Sequence, residues 1–378
     1  MRFALLVFAV VPAFAQKWTT QYFYDQLHKQ MEITDLAFPT AQTGIAVGAI
    51  YDQVSGSEKY ASLLTNDGGA HWSQESLKEF PRSIFFLNEK LGWMVTDKAL
   101  WATIDSGRTW KKQSDQIKPD KKLDPPTTIG LLLRVWFVDE THGYGVGLQK
   151  TIVETKDAGR NWTSVGAAAK APGNPAITAF TRIIFSDDKR GVILGGAQPA
   201  RTDEGWAGSL PAWMDPEKAS KRKKISALTI VVETADGGAT WGSVDAPSAG
   251  QVASARFAGN EGLLVMGYDE TYQWPSDVYK LAGVGLERVY RDKSPRINDA
   301  LLFAGPRMFL AGVEPTGKMN SAPIPGKIHI LQSSDFKTWS EMKVDYKALA
   351  RQVILAGPDA SHVWAATDTG FILHLVTP

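Results

Sequence analysis

At 378 residues, with 44% hydrophobic, 10% aromatic and 21% charged side chains, the chain can bury a large core and is neither a disordered nor a low-complexity polymer. Lys and Arg number 41 against 40 Asp and Glu, which argues against a general nucleic-acid or anionic-membrane binder, since both rely on a basic excess. With 0 cysteines, disulfides, iron–sulfur clusters, thiolate zinc sites, cysteine nucleophiles and lipid attachment through cysteine are excluded.

Residues 1–15 open with Arg2, continue as an apolar run and end in Ala13-Phe14-Ala15, the layout of a signal peptide cleaved before Gln16. This predicts an exported protein, periplasmic or extracellular. The run falls short of the ~20 apolar residues that span a bilayer, and no second run of that length follows. The mature chain, 16–378, is expected to be a single domain, monomeric and without a transmembrane segment.

The mature N-terminus, Lys17-Trp18-Thr19-Thr20-Gln21-Tyr22, reads as a strand. Seven similar units follow it. Each has an apolar strand ending near Phe, a short turn with Gly, a second strand and a third strand. First strands are predicted near 33–38, 82–87, 133–138, 181–186, 252–257, 298–303 and 351–356, and Gly44, Gly92, Gly143, Gly191 and Gly262 recur at the entry to the second strand.

After the third strand comes a shared motif: TNDGGAHW (65–72), TIDSGRTW (103–110), TKDAGRNW (155–162) and TADGGATW (234–241), with a shorter SSDFKTW at 333–339. The pattern Thr-x-Asp-x-Gly-x-x-Trp reads as a hairpin turn. Asp67, Asp105, Asp157, Asp236 and Asp335 would accept backbone N–H groups two residues on, Gly would supply a positive φ, and Trp would start the next strand. These motifs resemble the Asp-box, or BNR, repeats of sialidases, sortilin-type receptors, xyloglucanase-type glycosidases and photosystem II assembly/stability factor propellers. The resemblance implies an all-β, seven-bladed β-propeller of four-stranded blades, with the boxes as turns between third and fourth strands. The fifth unit lacks a box and has Tyr290 about where Trp is expected. The last unit stops after its third strand, 371–378, so the N-terminal strand with Trp18 is expected to complete it and close the ring.

Turns from first to second strand are short, and the longer segments (51–60, 113–128, 165–176, 197–227, 268–280 and 313–327) fall on the opposite face, the natural place for a binding surface. The longest carries Arg201, Asp203, Glu204, Trp206 and Trp213 and a basic run from Lys218 to Lys224. Tyr51, Tyr268, Asp269, Glu270, Tyr272, Trp274 and Glu314 lie in the others. Arg82, Arg134, Arg182, Arg256, Arg296 and Arg351 stand at or near the start of a first strand, where the first unit has Asp35. Converging at the channel mouth they would form an anion site, and Arg134 and Arg182 share a register three residues before Phe137 and Phe185. The alternative is that they pair with neighbouring carboxylates such as Asp35 or Asp299.

Two functions fit. One is an exported non-catalytic propeller that binds a protein, or an anionic or glycan ligand, at the long-loop face; in layout it resembles the photosystem assembly-factor branch. The other is a glycoside hydrolase, sialidase-like or another exo-glycosidase, with Asp35, Asp203, Glu204, Asp269 and Glu270 as candidate carboxylates. The six His residues show no metal-ligand spacing, and neither a metal nor a cofactor is expected.

Overall fold

The computed structural model describes residues 16–116, 131–166, 170–197, 228–244, 250–268, 273–282, 285–305, 307–314, 318–319 and 322–376. These form seven antiparallel sheets around a central axis, plus a small hairpin of Lys318–Met319 with Ala322–Pro323. The inner strands, in order of blades 1 to 7, are Lys29–Ala37, Pro81–Phe86, Leu132–Phe137, Thr178–Phe185, Gln251–Ala258, Arg296–Phe303 and Val353–Asp359. Each inner strand contacts the next, and the seventh contacts the first, so the ring closes.

Blade 7 is completed by Lys17–Phe23, which pairs antiparallel with Phe371–Val376 from Lys17↔Val376 to Phe23↔Phe371. Trp18 anchors this closing strand: it is 1% exposed, donates its Nε1 hydrogen to Met342 Sδ at 3.4 Å and meets Phe309 of blade 6 edge-on at 6.3 Å. Lys343–Val344 adds a short parallel strand outside it. The segment expected as a loop over 51–60 is strand at both ends, because Gly44–Asp52 and Glu58–Thr65 pair as far as Tyr51↔Glu58, which leaves only 53–57 as the turn.

Aromatic stacking joins neighbouring blades. Trp93 of blade 2 lies on Phe137 of blade 3, and Trp364 of blade 7 on Phe38 of blade 1, both at 3.6 Å between ring centroids. The recurrent Phe and Gly of each unit have a common cause. The Phe ending the inner strand folds over the first residue of the second strand, so that a Cβ on Gly143 would fall 2.6 Å from the Phe137 ring.

The Asp-box turns differ in one respect from the expected bonding. In the four full boxes the Asp carboxylate accepts the N–H four residues on, not two: His71 on Asp67 (2.9 Å), Thr109 on Asp105, Asn161 on Asp157 and Thr240 on Asp236 (each 2.8 Å). The Thr two residues before the Asp accepts the N–H of the box Gly and donates to the Asp, at 2.8 and 2.9 Å in the first box. The reason is the backbone. Two successive residues are left-handed, as at Ala158 (φ 63°) and Gly159 (φ 87°), and the doubled bend carries the fourth N–H back to the carboxylate. The shorter box has one such residue, Phe336, and there Asp335 does accept from Lys337, two residues on.

Trp72, Trp110, Trp162 and Trp241 precede their outer strands by one residue. Each meets the Phe of its own blade edge-on, at 5.8 to 6.5 Å, with Nε1 buried and lacking a hydrogen-bond partner. Blade 5 departs from the expectation for Tyr290: that residue lies within the outer strand, paired with Val278 and edge-on to Trp339 of blade 6 at 5.9 Å, while Leu286, facing Leu281, holds the place of the box Trp. The third and fourth strands of blade 5 are tied by the fully buried Asp277, which accepts Arg291 Nε and Nη2 at 2.5 Å each and the hydroxyls of Tyr268 and Tyr279.

The box carboxylates carry a pH prediction. Hydrogen bonds from His71, Thr240 and Thr338, respectively, hold Asp67, Asp236 and Asp335 down at about 2. A folded-state value below the unfolded one stabilises the fold above the unfolded value, ~3.9, and that stabilisation is lost as pH falls toward 2. Urea midpoints should therefore be flat with respect to these groups down to pH 4 and fall between pH 4 and pH 2. Asp67→Asn with Asp236→Asn should flatten part of that fall.

Candidate anion-binding site at the channel mouth

The site is built on a bulge repeated near the start of the inner strands. In blades 1 to 6 the register against the second strand slips between Ile33 and Asp35, Pro81 and Ser83, Leu132 and Arg134, Phe180 and Arg182, Val252 and Ser254, and Ile297 and Asp299. Asp35, Ser83, Arg134, Arg182, Ser254 and Asp299 are thus structurally equivalent and ring the channel. The extra residue in each bulge, such as Thr34, Arg82, Leu133 or Thr181, stands just outside that ring.

Glycine faces the bulge from the second strand in blades 1, 3, 4 and 6, at Gly48, Gly147, Gly195 and Gly312, whereas Thr96 and Met266 face it in blades 2 and 5. A Cβ on Gly147 would lie 1.9 Å from the carbonyl oxygen of Leu131, and one on Gly195 2.1 Å from that of Ala179, because the bulged backbone leans against these positions. Thr34, Phe80, Arg82, Leu133, Arg134, Thr181 and Arg182 together line a cavity of about 230 Å³ between blades 1 and 4. Further along the inner strands of blades 2 and 3, Phe85 and Trp136 meet at 5.0 Å in the packing between blades.

Asp35 is 5% exposed and fully engaged. It accepts the N–H groups of Leu36 (3.1 Å) and Ile84 (3.0 Å) and Arg134 Nη1 at 3.1 Å. Asp299, across the ring, repeats the arrangement with the N–H groups of Ala300 and Leu355 (both 2.9 Å), the Ser254 hydroxyl and Arg256 Nη2 at 3.4 Å. Each aspartate therefore ties its own inner strand to the next and orients one arginine.

Arg182 donates to the carbonyl oxygens of Thr181, at 2.9 Å, and Ala253. Burial, together with the charges of Arg134 and Arg256, pushes its guanidinium down to about 9 despite the opposing pull of Asp299 and Asp35. It remains a cation at neutral pH in a surplus of positive charge. Arg82 lies 5.8 Å from the Phe80 ring, and its buried Nε has no hydrogen-bond partner.

Of the arginines proposed from sequence, Arg82, Arg134 and Arg182 line one cavity. Arg256 sits two residues deeper, on Asp299. Arg296 and Arg351 stand three residues outward of the ring position; Arg296 is exposed, and Arg351 Nε is bound to Asp368 at 2.6 Å. Trp274 lies under Arg291 at 5.5 Å, away from the mouth. Asp203, Glu204, Trp206, Trp213, the basic run, Asp269, Glu270 and Tyr272 lie outside the described residues. Among the described residues, the cavity lining contains no carboxylate and no tyrosine. Tyr51, bonded to Glu58 and pushed up to about 12 by burial and by the charges of Glu32 and Glu58, belongs to the outer part of blade 1. Among the described residues no group of three His, Asp or Glu side chains is placed to hold a metal ion.

Sequence reasoning missed Thr34, Phe80, Leu133 and Thr181. The signal that points to Thr34, Leu133 and Thr181 is the glycine facing the bulge, Gly48, Gly147 or Gly195; Phe80 has no such signal, since Thr96 faces the bulge of its blade.

Residues 77–180 match the model of a family described as photosynthesis system II assembly factor YCF48. No curated protein matches the chain in sequence. Among solved structures, YCF48 bound to D1 peptide is similar at 17% identity and a TM-score of 0.58, covering 96% of this chain and 97% of that one. YCF48 from Cyanidioschyzon merolae is similar at 13% identity and a TM-score of 0.57, over 95% and 98% of the two chains. The β-propeller domain of the Trilobed protease from Pyrococcus furiosus follows at 8% identity and 0.53, over 93% and 95%. The chain is a β-propeller carrying Asp-box (BNR)-type repeats, similar in fold over nearly its whole length to the solved YCF48 propellers.

Proposed function

We propose that this is an exported, non-catalytic propeller that binds a protein partner at the channel mouth, holding an anionic group of the partner with Arg82, Arg134 and Arg182. The observation that carries this reading is the cavity itself: three arginines from successive blades, one with an unpartnered buried Nε, around a lining that among the described residues has no carboxylate. A guanidinium cluster of this kind binds carboxylate or phosphate through charge-assisted hydrogen bonds, and the described residues of the lining supply neither the acid nor the base or nucleophile of glycoside hydrolysis. The solved complex of YCF48 with D1 peptide supports a peptide-binding role for this fold, and the leader-like residues 1–15 support export. Among the described residues, no helix is long and apolar enough to cross a membrane.

The test is site-directed photocrosslinking in the host cell, with a photoreactive residue at Phe80 or, as control, at Ile104 on the box-turn face. A partner band should form from position 80 only and disappear in the Arg82→Gln/Arg182→Gln background. Equal crosslinking from both positions, or hydrolysis of sialosides or other glycosides by the purified protein, would contradict the reading.

A further inference from the structure

The charge balance of the mouth defines the ligand group more narrowly, on the assumption that the mouth is the binding site. Three guanidinium groups line the cavity, and one carboxylate, Asp35, compensates one of them through Arg134. Arg256, the next nearest, is matched by Asp299. Among the described residues, two positive charges are therefore left facing a space of about 230 Å³. The like-charge pressure on Arg182 and the unpartnered Nε of Arg82 are both marks of that surplus.

We propose that the cavity takes a dianionic group, a phosphate monoester on a side chain of the protein partner. A carboxylate carries one charge and offers two oxygens in a plane, a match for one guanidinium fork. A phosphate monoester carries about −1.5 to −2 at pH 7 and presents three acceptor oxygens, a match for donors arriving from blades 2, 3 and 4 at once. Phe80 and Leu133 supply an apolar wall for the linking carbons. Since the second ionisation of such an ester lies near pH 6, binding should weaken as pH falls through about 6, where the ligand becomes a monoanion.

The experiment uses the full chain and fluorescently labelled, N-acetylated Ala-Gly-X-Gly-Ala peptides. X is phosphoserine, serine or glutamate with an amidated C-terminus, or serine with a free terminal carboxylate; inorganic phosphate serves as competitor. The phosphoserine peptide should bind at least about tenfold more tightly than the other three, and weaken about tenfold in Arg82→Gln. It should be unchanged in Arg108→Gln, which lies at a box turn, with circular dichroism confirming that both variants fold. If the free carboxylate or the glutamate peptide binds as well as phosphoserine, the dianion inference is overturned while the anion-binding reading stands. If inorganic phosphate binds but no phosphopeptide does, the assignment to a side-chain ester is overturned. If nothing binds, the inference falls; partner crosslinking from position 80 then decides the broader reading independently.

Discussion

Trp364→Ala should destabilise the propeller by about 3–5 kcal/mol, among the largest losses expected of any single truncation in this chain. The indole is 1% exposed and serves three parts of the ring at once. It lies on Phe38 of blade 1 at 3.6 Å, stacks on His374 within blade 7 at 4.7 Å, and donates its Nε1 hydrogen to Gln21 on the closing strand at 3.0 Å. Truncation leaves a cavity where the last blade meets the first, and close-packed sheets on both sides cannot collapse into it. Equilibrium urea unfolding should show a clearly lower midpoint, with a smaller loss for Trp72→Ala, whose ring is only half-buried. Equal losses for the two variants would mean that the blade 7 to blade 1 junction has no special role in closure.

Gly147→Ala and Gly195→Ala should each cost about 2–3 kcal/mol and, unlike the tryptophan truncation, should also abolish ligand binding. Neither residue lines the cavity. Their added methyl groups would fall 1.9 Å and 2.1 Å from carbonyl oxygens of the inner strands, and backbone cannot swing aside as the tip of a long side chain can. Relief requires the bulge to move outward, and the bulge is what presents Arg134 and Arg182 to the channel. Gly312→Ala meets the same kind of contact at 2.5 Å in blade 6, beside Asp299 rather than the arginine cavity. It should lose stability and retain binding. If all three glycine variants bind normally, the bulge does not set the arginine geometry.

These expectations also show which parts of the molecule were legible in the chain. The fold could be read because its unit is local: the Thr-x-Asp-x-Gly-x-x-Trp turn makes nearly all of its bonds within itself, so it looks alike wherever it occurs. Closure was legible for a related reason, since the last unit lacks a Trp-bearing fourth strand and the N-terminus supplies one. The site was legible only in part. Arg134 and Arg182 could be paired because both precede a strand-ending Phe by three residues. Arg82, four residues before Phe86, looked out of register; it reaches the same cavity because the bulge lets two successive residues serve one rim. Bulges are set by contact between strands, and the facing residue about a dozen positions away is Gly147 in blade 3 but Thr96 in the blade that carries Arg82. The same limit explains the Asp-box bonds: the doubled left-handed bend includes Ser106 and Ala158, residue types that carry no sign of a positive φ.

The most direct test of the central claim is the affinity of the partner crosslinked from position 80, purified and titrated against wild type, Arg82→Gln, Arg134→Gln, Arg182→Gln and Arg108→Gln at low and physiological salt. The account predicts at least about a tenfold loss for each of the three mouth variants, no change for Arg108→Gln and weaker binding by wild type as salt rises. Affinity unaffected by all three mouth substitutions would contradict it.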